Sequence, residues 1–398
     1  VLASSVQDMA ARQQRIGGRF HVLGEVGRGA FGVCLKGWDA SSKSLVAVKM
    51  VRRGHRHNVD AIMEAEKLQI LRWRDKEHKF CVRVVSFFQY HGHFCLVTEL
   101  LGTNLHSALR DLRSNGSGRP GVSVGAARRL AFQLCEALQF LCRSRLIHAD
   151  LKTENLCLAR PGMMLEDANV RVKLIDFGCA TWEGGPPGSL VQTVQYRAPE
   201  VCLGLEWTFP CDMWSVGCII FELFEGERVF DVSGLTGSIP SHLAMMQRLT
   251  GLALPARMVQ RASQELSYCT DRNSGRLMWP EVSGGDLSRD RCVDRELEVL
   301  RIVPLSQRIN HPQLYQMRDF LSAIMQLDPD RRITPSAAFN CEWLRTPSPC
   351  LSSPLPQPTV LNMVRPCLSS PAPQPSILNM VRPRESRHTG GGTGFENV

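Results

Sequence analysis

The sequence predicts an α+β fold of two lobes, with a small antiparallel β-sheet and one helix in the first lobe and mainly α-helix in the second. Between residues 20 and 99, short segments rich in Val, Phe and Leu alternate with turns, a pattern typical of strands. After Gly102, apolar residues recur at helical spacing. The length of 398 residues accommodates two packed units at about 100–200 residues each.

The predicted elements follow from these periodicities. The strands of the first lobe are expected over residues 20–26, 33–38, 44–51, 82–89 and 93–99. One helix interrupts them over 60–73, where apolar residues lie one or two turns apart with acidic residues between. Helices of the second lobe are expected through 127–141, 209–226 and 313–325.

Three regions are predicted along the chain. Residues 1–18 form an N-terminal extension, residues 19–345 the folded domain (lobes at about 19–101 and 102–345), and residues 346–398 a tail rich in Pro and Ser. The tail holds a 17-residue tandem repeat at 350–366 and 367–383, whose copies differ at three positions. Its proline content favours disorder. An inert tail and a docking peptide both remain open.

Composition limits the function classes. The formal charge of +9 is mild and scattered, so we expect no direct nucleic-acid binding. The 15 cysteines include no CxxC pair and most lie in apolar runs, which favours buried free thiols in a reducing compartment over a zinc site. No apolar run approaches the ~20 residues of a membrane-spanning helix, so we expect no membrane partner.

A glycine-rich loop and a lysine predict a nucleotide site. Gly27, Gly29 and Gly32 form a GxGxxG segment followed by Val33, between two predicted strands. Glycines let a backbone approach phosphates closely. In dinucleotide-binding folds this motif opens a helix, whereas a strand follows here. Lys49 ends the next strand, where a buried ammonium needs an acidic partner.

Two glutamates of the following helix are candidates for that partner. Glu64 and Glu66 both lie on the predicted helix. We favour Glu66, because Leu68 and Ile70 then continue the apolar face of the helix. An ion pair between Lys49 and Glu66 would hold the ammonium against the α- and β-phosphates of ATP.

Two further segments supply acid–base and metal-binding groups. In His148-Ala149-Asp150-Leu151-Lys152-Thr153-Glu154-Asn155, Asp150 can accept a proton from an attacking hydroxyl, Lys152 can stabilise the transferred phosphoryl group, and Asn155 can bind Mg²⁺. Asp176, in the Asp-Phe-Gly segment, ends another strand and can bind a second Mg²⁺. Taken alone, each aspartate could instead cap a turn. Turn caps do not explain the order in which the whole set of motifs occurs.

This ordered set resembles the eukaryotic protein-kinase domain over about residues 20–345. Ala198-Pro199-Glu200 matches the family's APE motif and residues 212–217 its DxWSxG helix. Arg332 matches the arginine expected to pair with Glu200. The resemblance implies the bilobal protein-kinase fold, with ATP·Mg²⁺ bound between the lobes.

Within the kinases, the chain resembles the LAMMER, or Cdc-like, dual-specificity family of the CMGC group. Residues 241–248 read SHLAMMQR, close to the signature EHLAMMER, and residues 276–279 match an insert of the same group. Ser241 and Gln247 depart from the signature, and Ala149 replaces the family's usual threonine. Many kinases have an arginine at this position, which binds an activation-loop phosphate. Because neither Ala149 nor the family's threonine is an arginine, activity should not require that phosphorylation.

The resemblance also assigns the adenine end of the site. Glu99 and Leu101 should offer backbone groups to adenine, Thr98 occupies the gatekeeper position where the family usually has phenylalanine, and Ala47 and Cys157 should sandwich the ring. The complete set expected to contact the nucleotide is Val26, Gly27, Gly29, Gly32, Val33, Ala47, Lys49, Thr98, Glu99, Leu101 and Cys157.

The expected function is ATP-dependent phosphorylation of Ser and Thr, with dual specificity. The resemblance implies splicing factors rich in Arg-Ser repeats as substrates. We expect a monomer, and a nuclear or cytoplasmic location, of which the resemblance favours the nucleus. Two alternatives remain: a CMGC kinase with other substrates, and a pseudokinase scaffold. Pseudokinases usually lose the lysine or one of the two aspartates, whereas Lys49, Asp150 and Asp176 are all present.

Overall fold

A six-stranded sheet forms the first lobe. The computed structural model describes residues 15–29, 32–114, 120–184, 190–230, 238–279 and 299–345, and the predicted tail at 346–398 lies outside them. The sheet has the order β1-β2-β3-β4-β6-β5 and all its neighbours are antiparallel. Its strands are β1 (Arg15–Ile16), β2 (Phe20–Gly29), β3 (Gly32–Asp39), β4 (Ser44–Val51), β5 (Val84–Tyr90) and β6 (His93–Glu99).

Alternation along β4 gives the sheet two different faces. Val46, Val48 and Met50 are buried in an apolar cluster of the sheet. Ala47 and Lys49 point to the opposite face, because successive side chains of a strand alternate. The register pairs Lys49 with Cys34 on one side and with Leu96 on the other. The lysine therefore lies on a central strand of the sheet, held from both sides.

The sheet begins earlier than the sequence indicates. Ile16, assigned above to the N-terminal extension, pairs with Phe20 and is completely buried in the same apolar cluster. Two glycines, Gly17 and Gly18, turn the chain between the two strands with positive φ of 57° and 71°. An isoleucine directly before a Gly-Gly pair is the signal for this short strand.

One long helix packs on the sheet. Helix α1 (His55–Arg74) is longer than the predicted 60–73. Ala61, Ala65, Leu68 and Leu71 are buried and recur at three- or four-residue spacing, which places them on one face. This face belongs to the large apolar cluster that continues into the second lobe.

Helices build the second lobe. The main ones are α2 (Leu105–Ser114), α3 (Val124–Arg143), α4 (Pro199–Cys202), α5 (Pro210–Glu225), α6 (Ile239–Thr250), α7 (Ala256–Gln260), α8 (Leu305–Arg308), α9 (Tyr315–Ile324), α10 (Pro335–Ala338) and α11 (Glu342–Arg345). Ser123 caps the start of helix α3, because its side chain accepts a hydrogen bond from the amide of Ala126; such a cap contributes about 1 kcal/mol.

Helix α5 is the buried centre of this lobe. All its residues from Cys211 to Phe224 are buried, and Trp214 is fully buried. Gly226 ends the helix with a φ of 81°. A Cβ there would lie 1.9 Å from the carbonyl oxygen of Pro120, so only glycine allows the chain to leave the helix at this point.

Short strand pairs shape the loops between the lobes. They are β7 (Leu146–Ile147) with β10 (Thr181–Trp182), β8 (Leu156–Leu158) with β9 (Val172–Leu174), and, further along the chain, β11 (Thr270–Asp271) with β12 (Arg276–Leu277). The first two pairs hold the segments predicted to be catalytic and metal-binding.

The predicted fold class is confirmed: an antiparallel sheet with one helix is followed by a helical lobe. The cysteines among the described residues are all free, and most are buried, as predicted. No helix in the described ranges is both long and apolar enough to span a bilayer.

Candidate active site

Lys49 forms a three-membered ionic cluster. Its Nζ lies 2.8 and 3.1 Å from the carboxylate oxygens of Glu64 and 2.9 Å from Oδ1 of Asp176. Burial lowers the pKa of Lys49, but the two carboxylates outweigh this effect and hold the pKa above its usual value. The ammonium therefore stays charged, and it joins the sheet, helix α1 and the Asp-Phe-Gly segment.

The predicted partner Glu66 is wrong. Glu64 is buried, whereas Glu66 is exposed to solvent. On an α-helix, residues four apart share a face, so Glu64 aligns with Leu68, which is buried, and Glu66 aligns with Ile70, which is 40% exposed. The prediction failed because it counted Ile70 as part of the buried face.

The glycine-rich loop divides its glycines between two roles. Gly27 and Gly29 have no atoms within 4 Å of the place where a Cβ would stand, which leaves open space beside the loop. At Gly32, a Cβ would lie 2.0 Å from the carbonyl oxygen of Met50. Gly32 thus permits β3 to pack against β4, while the other two leave room for a ligand. Val26, which precedes the glycines, is 56% exposed.

Val33 is not on the lysine's side of the sheet, contrary to its predicted nucleotide contact. It pairs with Met50, and both side chains belong to the buried cluster of the sheet. The next residue, Cys34, pairs with Lys49 and so lies on the face of the lysine, because directly paired side chains point the same way. Strand alternation from Lys49 would have identified Cys34.

The residues predicted to contact adenine lie at the junction of the lobes. Ala47 on β4 pairs with Thr98 on β6. The side chain of Glu99 is engaged by Nζ of Lys173 at 2.7 Å, and Leu101 follows two residues later, beyond the end of β6. The backbone of this connection, rather than the Glu99 carboxylate, is thus what remains for a ligand.

Cys157 lies on β8, below this junction. It forms a bridge with Asn104 and is 9% exposed. Burial raises the pKa of its thiol to about 12, so the side chain is neutral and acts as a small apolar surface. This is the character that a wall for an aromatic ring requires.

Asp150 is held by several donors. Its Oδ2 lies 2.8 Å from Nζ of Lys152, and its Oδ1 accepts hydrogen bonds from the backbone amide and the hydroxyl of Thr193 at 3.0 and 2.7 Å. The side-chain amide of Asn155 donates to the carbonyl oxygen of Asp150 at 2.8 Å. The carboxylate is therefore fixed in one orientation and remains partly accessible, as proton acceptance from a substrate requires.

Asp212 on helix α5 holds the loop that carries Asp150 in place. Its carboxylate accepts hydrogen bonds from the backbone amides of His148 and Ala149 at 2.8 and 2.9 Å. Ala149 has a φ of 61°, a conformation that costs on the order of 1 kcal/mol for a residue with a Cβ. The buried carboxylate stabilises this turn, and the ring of His148 also packs against Phe177 at 4.9 Å.

Asn155 and Asp176 supply a donor set that fits Mg²⁺. The amide nitrogen of Asn155 is used on Asp150, which leaves its side-chain oxygen for a metal. Burial raises the pKa of Asp176, but the neighbouring Lys49 outweighs it, so the pKa is lower than usual and the carboxylate is charged. Carboxylate and amide oxygens are the ligands that Mg²⁺ prefers.

The predicted pair of Arg332 and Glu200 is confirmed. The guanidinium of Arg332 binds both carboxylate oxygens of Glu200 at 2.7 and 2.9 Å, and it also donates to the carbonyl oxygen of Pro210 at 2.7 Å. Both charged side chains are buried. This pair ties the end of the segment that carries Thr193 to the base of helix α5.

Sequence reasoning missed three residues that complete the site. Glu64 was considered and set aside, Asp212 was read only as part of a motif, and Thr193 only as part of a stretch that departs from the family. A signal existed for Asp212, since a carboxylate inside a helix as apolar as α5 needs partners. Nothing in the local sequence marks Thr193, which meets Asp150 across 43 residues of chain.

The site between the sheet lobe and the helical lobe brings together the ammonium of Lys49, the Asp150 carboxylate oriented by Lys152, and the side-chain oxygens of Asn155 and Asp176. This arrangement defines a nucleotide-dependent phosphotransferase. Residues 20–344 match the protein kinase domain family. A crystal structure of a kinase domain superposes with a TM-score of 0.73 at 30% identity and covers 83% of this chain and 97% of that one.

Named kinases are similar over most of the chain. The serine/threonine-protein kinase AFC2 of Arabidopsis thaliana is 35% identical, over 81% of this chain and 75% of its own length. AFC3 of the same plant is 34% identical, over 83% of both chains. The human dual specificity protein kinase CLK1 is 34% identical, over 79% of this chain and 64% of its own length. The chain therefore belongs to the protein kinase family, within its LAMMER group of AFC and CLK kinases.

Proposed function

We propose that this Ser/Thr protein kinase uses Asp150 as the group that orients and deprotonates the acceptor hydroxyl. The acceptor oxygen forms a bond to the γ-phosphorus of ATP, the bond from that phosphorus to the β–γ bridging oxygen breaks, and ADP leaves. The observation that carries the proposal is the Asp150 carboxylate, fixed by Thr193 and Lys152 at 2.7–3.0 Å.

The remaining roles follow from position and charge. Lys49, held by Glu64, binds the α- and β-phosphates, and Lys152 stabilises the charge of the moving phosphoryl group. Asp176 and Asn155 bind Mg²⁺, which when present neutralises charge on the phosphates. The open space at Gly27 and Gly29 supports their contact with the same phosphates.

The adenine contacts are proposed for the junction between the lobes. Thr98, Glu99 and Leu101 line the connection that leaves β6, and Ala47 and Cys157 provide small apolar surfaces on the two lobes. On the first lobe we add Cys34, in place of Val33, to the nucleotide site because it shares the face of Lys49.

The substrate class rests on family membership. We propose Arg-Ser-rich proteins as substrates, with tyrosine as a further acceptor in autophosphorylation, a monomeric kinase, and action in the nucleus on splicing factors.

Phosphate transfer from labelled ATP with Mg²⁺ tests the proposal. The acceptors are an Arg-Ser repeat peptide, an acidic serine peptide and a proline-directed serine peptide. Asp150→Asn should lower the rate at least about a hundredfold, while the matched change at an exposed aspartate, Asp319→Asn, should leave it unchanged. Transfer mainly to another peptide would discard the Arg-Ser substrate; equal rates in Asp150→Asn would discard the named base.

A further inference from the structure

Arg228 forms an ion pair with the carboxylate of Glu154, which lies in the same loop as Asp150. Glu154 lies in the 3₁₀ turn Thr153–Asn155, four residues after Asp150. Its Oε1 is 2.7 Å from Nη2 of Arg228, and the two side chains are 32% and 33% exposed. A peptide lying over the catalytic loop can therefore reach both partners of this pair.

A second, buried carboxylate stands behind the pair. Glu222 on helix α5 is 3% exposed at its side chain, and its Oε1 lies 3.9 Å from Nε of Arg228. The hydroxyl of Tyr196 donates to Glu222 at 2.5 Å, and the guanidinium of Arg228 lies 6.0 Å from the Tyr196 ring centre. Two carboxylates and an aromatic ring thus surround one guanidinium, which is the environment that binds an arginine side chain.

Contacts tie this pocket to the acceptor site from both sides. Thr153 bonds with the Tyr196 hydroxyl at 3.2 Å and donates to Glu222 at 3.3 Å. Tyr196 belongs to the 3₁₀ turn that directly follows Thr193, and Thr193 bonds to Asp150. The pocket is therefore built from the same two loops that hold the catalytic carboxylate.

Arg228 reaches the pocket from a separate element. It follows Gly226, whose left-handed conformation ends helix α5, and it is not part of either loop. Its backbone position is fixed, since Val229 and Phe230 are buried directly after it. The guanidinium of Arg228 therefore extends from a fixed stretch of backbone and lies where an arginine of a bound peptide would lie.

We propose that Arg228 is a specificity-determining residue that fills, from within the chain, the Glu154 subsite for a substrate arginine. This inference rests on the proposed function, because it concerns a substrate bound over Asp150. A tethered group competes at an effective concentration in the millimolar range. A substrate present at micromolar concentration therefore gains little from an arginine at this one position, and selection for basic residues must come from other positions.

Scanning one arginine through a serine peptide tests the assignment. In the wild type, kcat/KM should be nearly insensitive to arginine at the position that meets Glu154. In Arg228→Ala, arginine at one position should raise kcat/KM about tenfold or more, since a hydrogen bond to a charged group becomes available. A peptide without arginine should show no such gain in Arg228→Ala. Adding Glu154→Gln should remove the gain.

Matched variants separate the pocket from general charge. Arg228→Lys keeps a cation on Glu154 and should retain the wild-type pattern. Arg318→Ala removes an arginine that pairs with Asp319 on helix α9, with the same change of net charge, and should show no new positional preference. An equal gain in Arg318→Ala, or a gain that survives Glu154→Gln, would overturn the proposal.

Binding gives a readout that does not depend on catalysis. Fluorescence anisotropy of the labelled peptide, with its acceptor serine replaced by alanine, should show about tenfold tighter binding to Arg228→Ala than to the wild type when the arginine is at the selected position. Failure of phosphate transfer with this binding shift intact would count against the proposed function alone. Equal affinity in both proteins, at every arginine position, would refute the role of Arg228.

Discussion

Replacing Glu64 or Glu66 by glutamine, one at a time, tests how the ATP-binding lysine is held. The two residues lie on the same helix, carry the same charge and differ by half a turn. Glu64→Gln removes the negative charge from two oxygens at 2.8 and 3.1 Å from Nζ of Lys49. Glu66→Gln removes the same charge from an exposed position.

The expected magnitude follows from burial. The Glu64 side chain is only 6% exposed, so solvent screens the pair weakly, and a hydrogen bond to a charged group is worth about 1.5–3 kcal/mol. Because Asp176 remains on Lys49, the lysine is not left unpaired but is free to shift toward that carboxylate. We expect kcat/KM for ATP to fall about 10–150-fold in Glu64→Gln and less than about twofold in Glu66→Gln.

The assay is steady-state transfer to one peptide at varied ATP, with thermal melting of each variant to establish that it is folded. A loss in Glu66→Gln as large as that in Glu64→Gln would contradict the helix register. A folded Glu64→Gln with unchanged kcat/KM for ATP would refute the reasoning that Glu64 fixes the lysine.

Three other perturbations have defined outcomes. Arg332→Leu leaves the buried carboxylate of Glu200 unpaired and should lower the free energy of unfolding by about 3–5 kcal/mol; urea titration, with the exposed Arg331→Leu as control, measures this, and equal midpoints would contradict it. Burial lowers the pKa of His242 to about 3, against about 6.5 when unfolded. The neutral His242 ring contributes its full share to the free energy of unfolding above about pH 6.5, and this share is lost as the pH falls toward 3. About 2 kcal/mol of the free energy of unfolding is lost between pH 7 and pH 5. His242→Gln should flatten this part of the pH–stability curve, and an unchanged slope would exclude the histidine as its source. Thr98→Phe should weaken ATP-competitive inhibitors that carry a bulky group behind adenine, as measured by inhibition constants; equal affinity would show that the small side chain opens no such pocket.

Much of the fold could be predicted because its signals are local. The strands 44–51 and 93–99 were predicted with the bounds that the structure has, since both are short segments rich in apolar residues that lie between turns. The end of helix α5 was predicted at Gly226 because a glycine there interrupts an apolar periodicity. Asp150, Asn155 and Asp176 were predicted because their order and spacing define one chemistry.

The errors arose where a face had to be assigned. The correct residues, Glu64 and Cys34, each lie within two positions of the predicted ones. Glu66 was wrongly assigned to the buried face of its helix, and Val33 to the nucleotide-facing side of the sheet. Helix and strand periods decide such questions only when the exposed positions are known. Ile70 is apolar yet 40% exposed, which misled the assignment of the helix face.

Thr193 could not have been predicted from local pattern, since its role exists only through folding. It bonds to Asp150 across 43 residues and to Lys152 across 41. A threonine in a loop has many other uses, and no periodicity marks it. Residues of this kind become visible only when the loop that carries them is placed against the catalytic loop.

The distances in sequence between the partners of the site determine the order in which it can form. The hairpins that join β2, β3 and β4 close over a few residues, so their loops form at little entropic cost. Lys49 and Asp176 are separated by 127 residues, and Arg332 and Glu200 by 132. Because contacts between residues so far apart close long loops, we expect them to form after the hairpins. We therefore expect a refolding chain to recover these hairpins before it can transfer phosphate, so that enzymatic activity reports the completion of folding rather than the onset of structure.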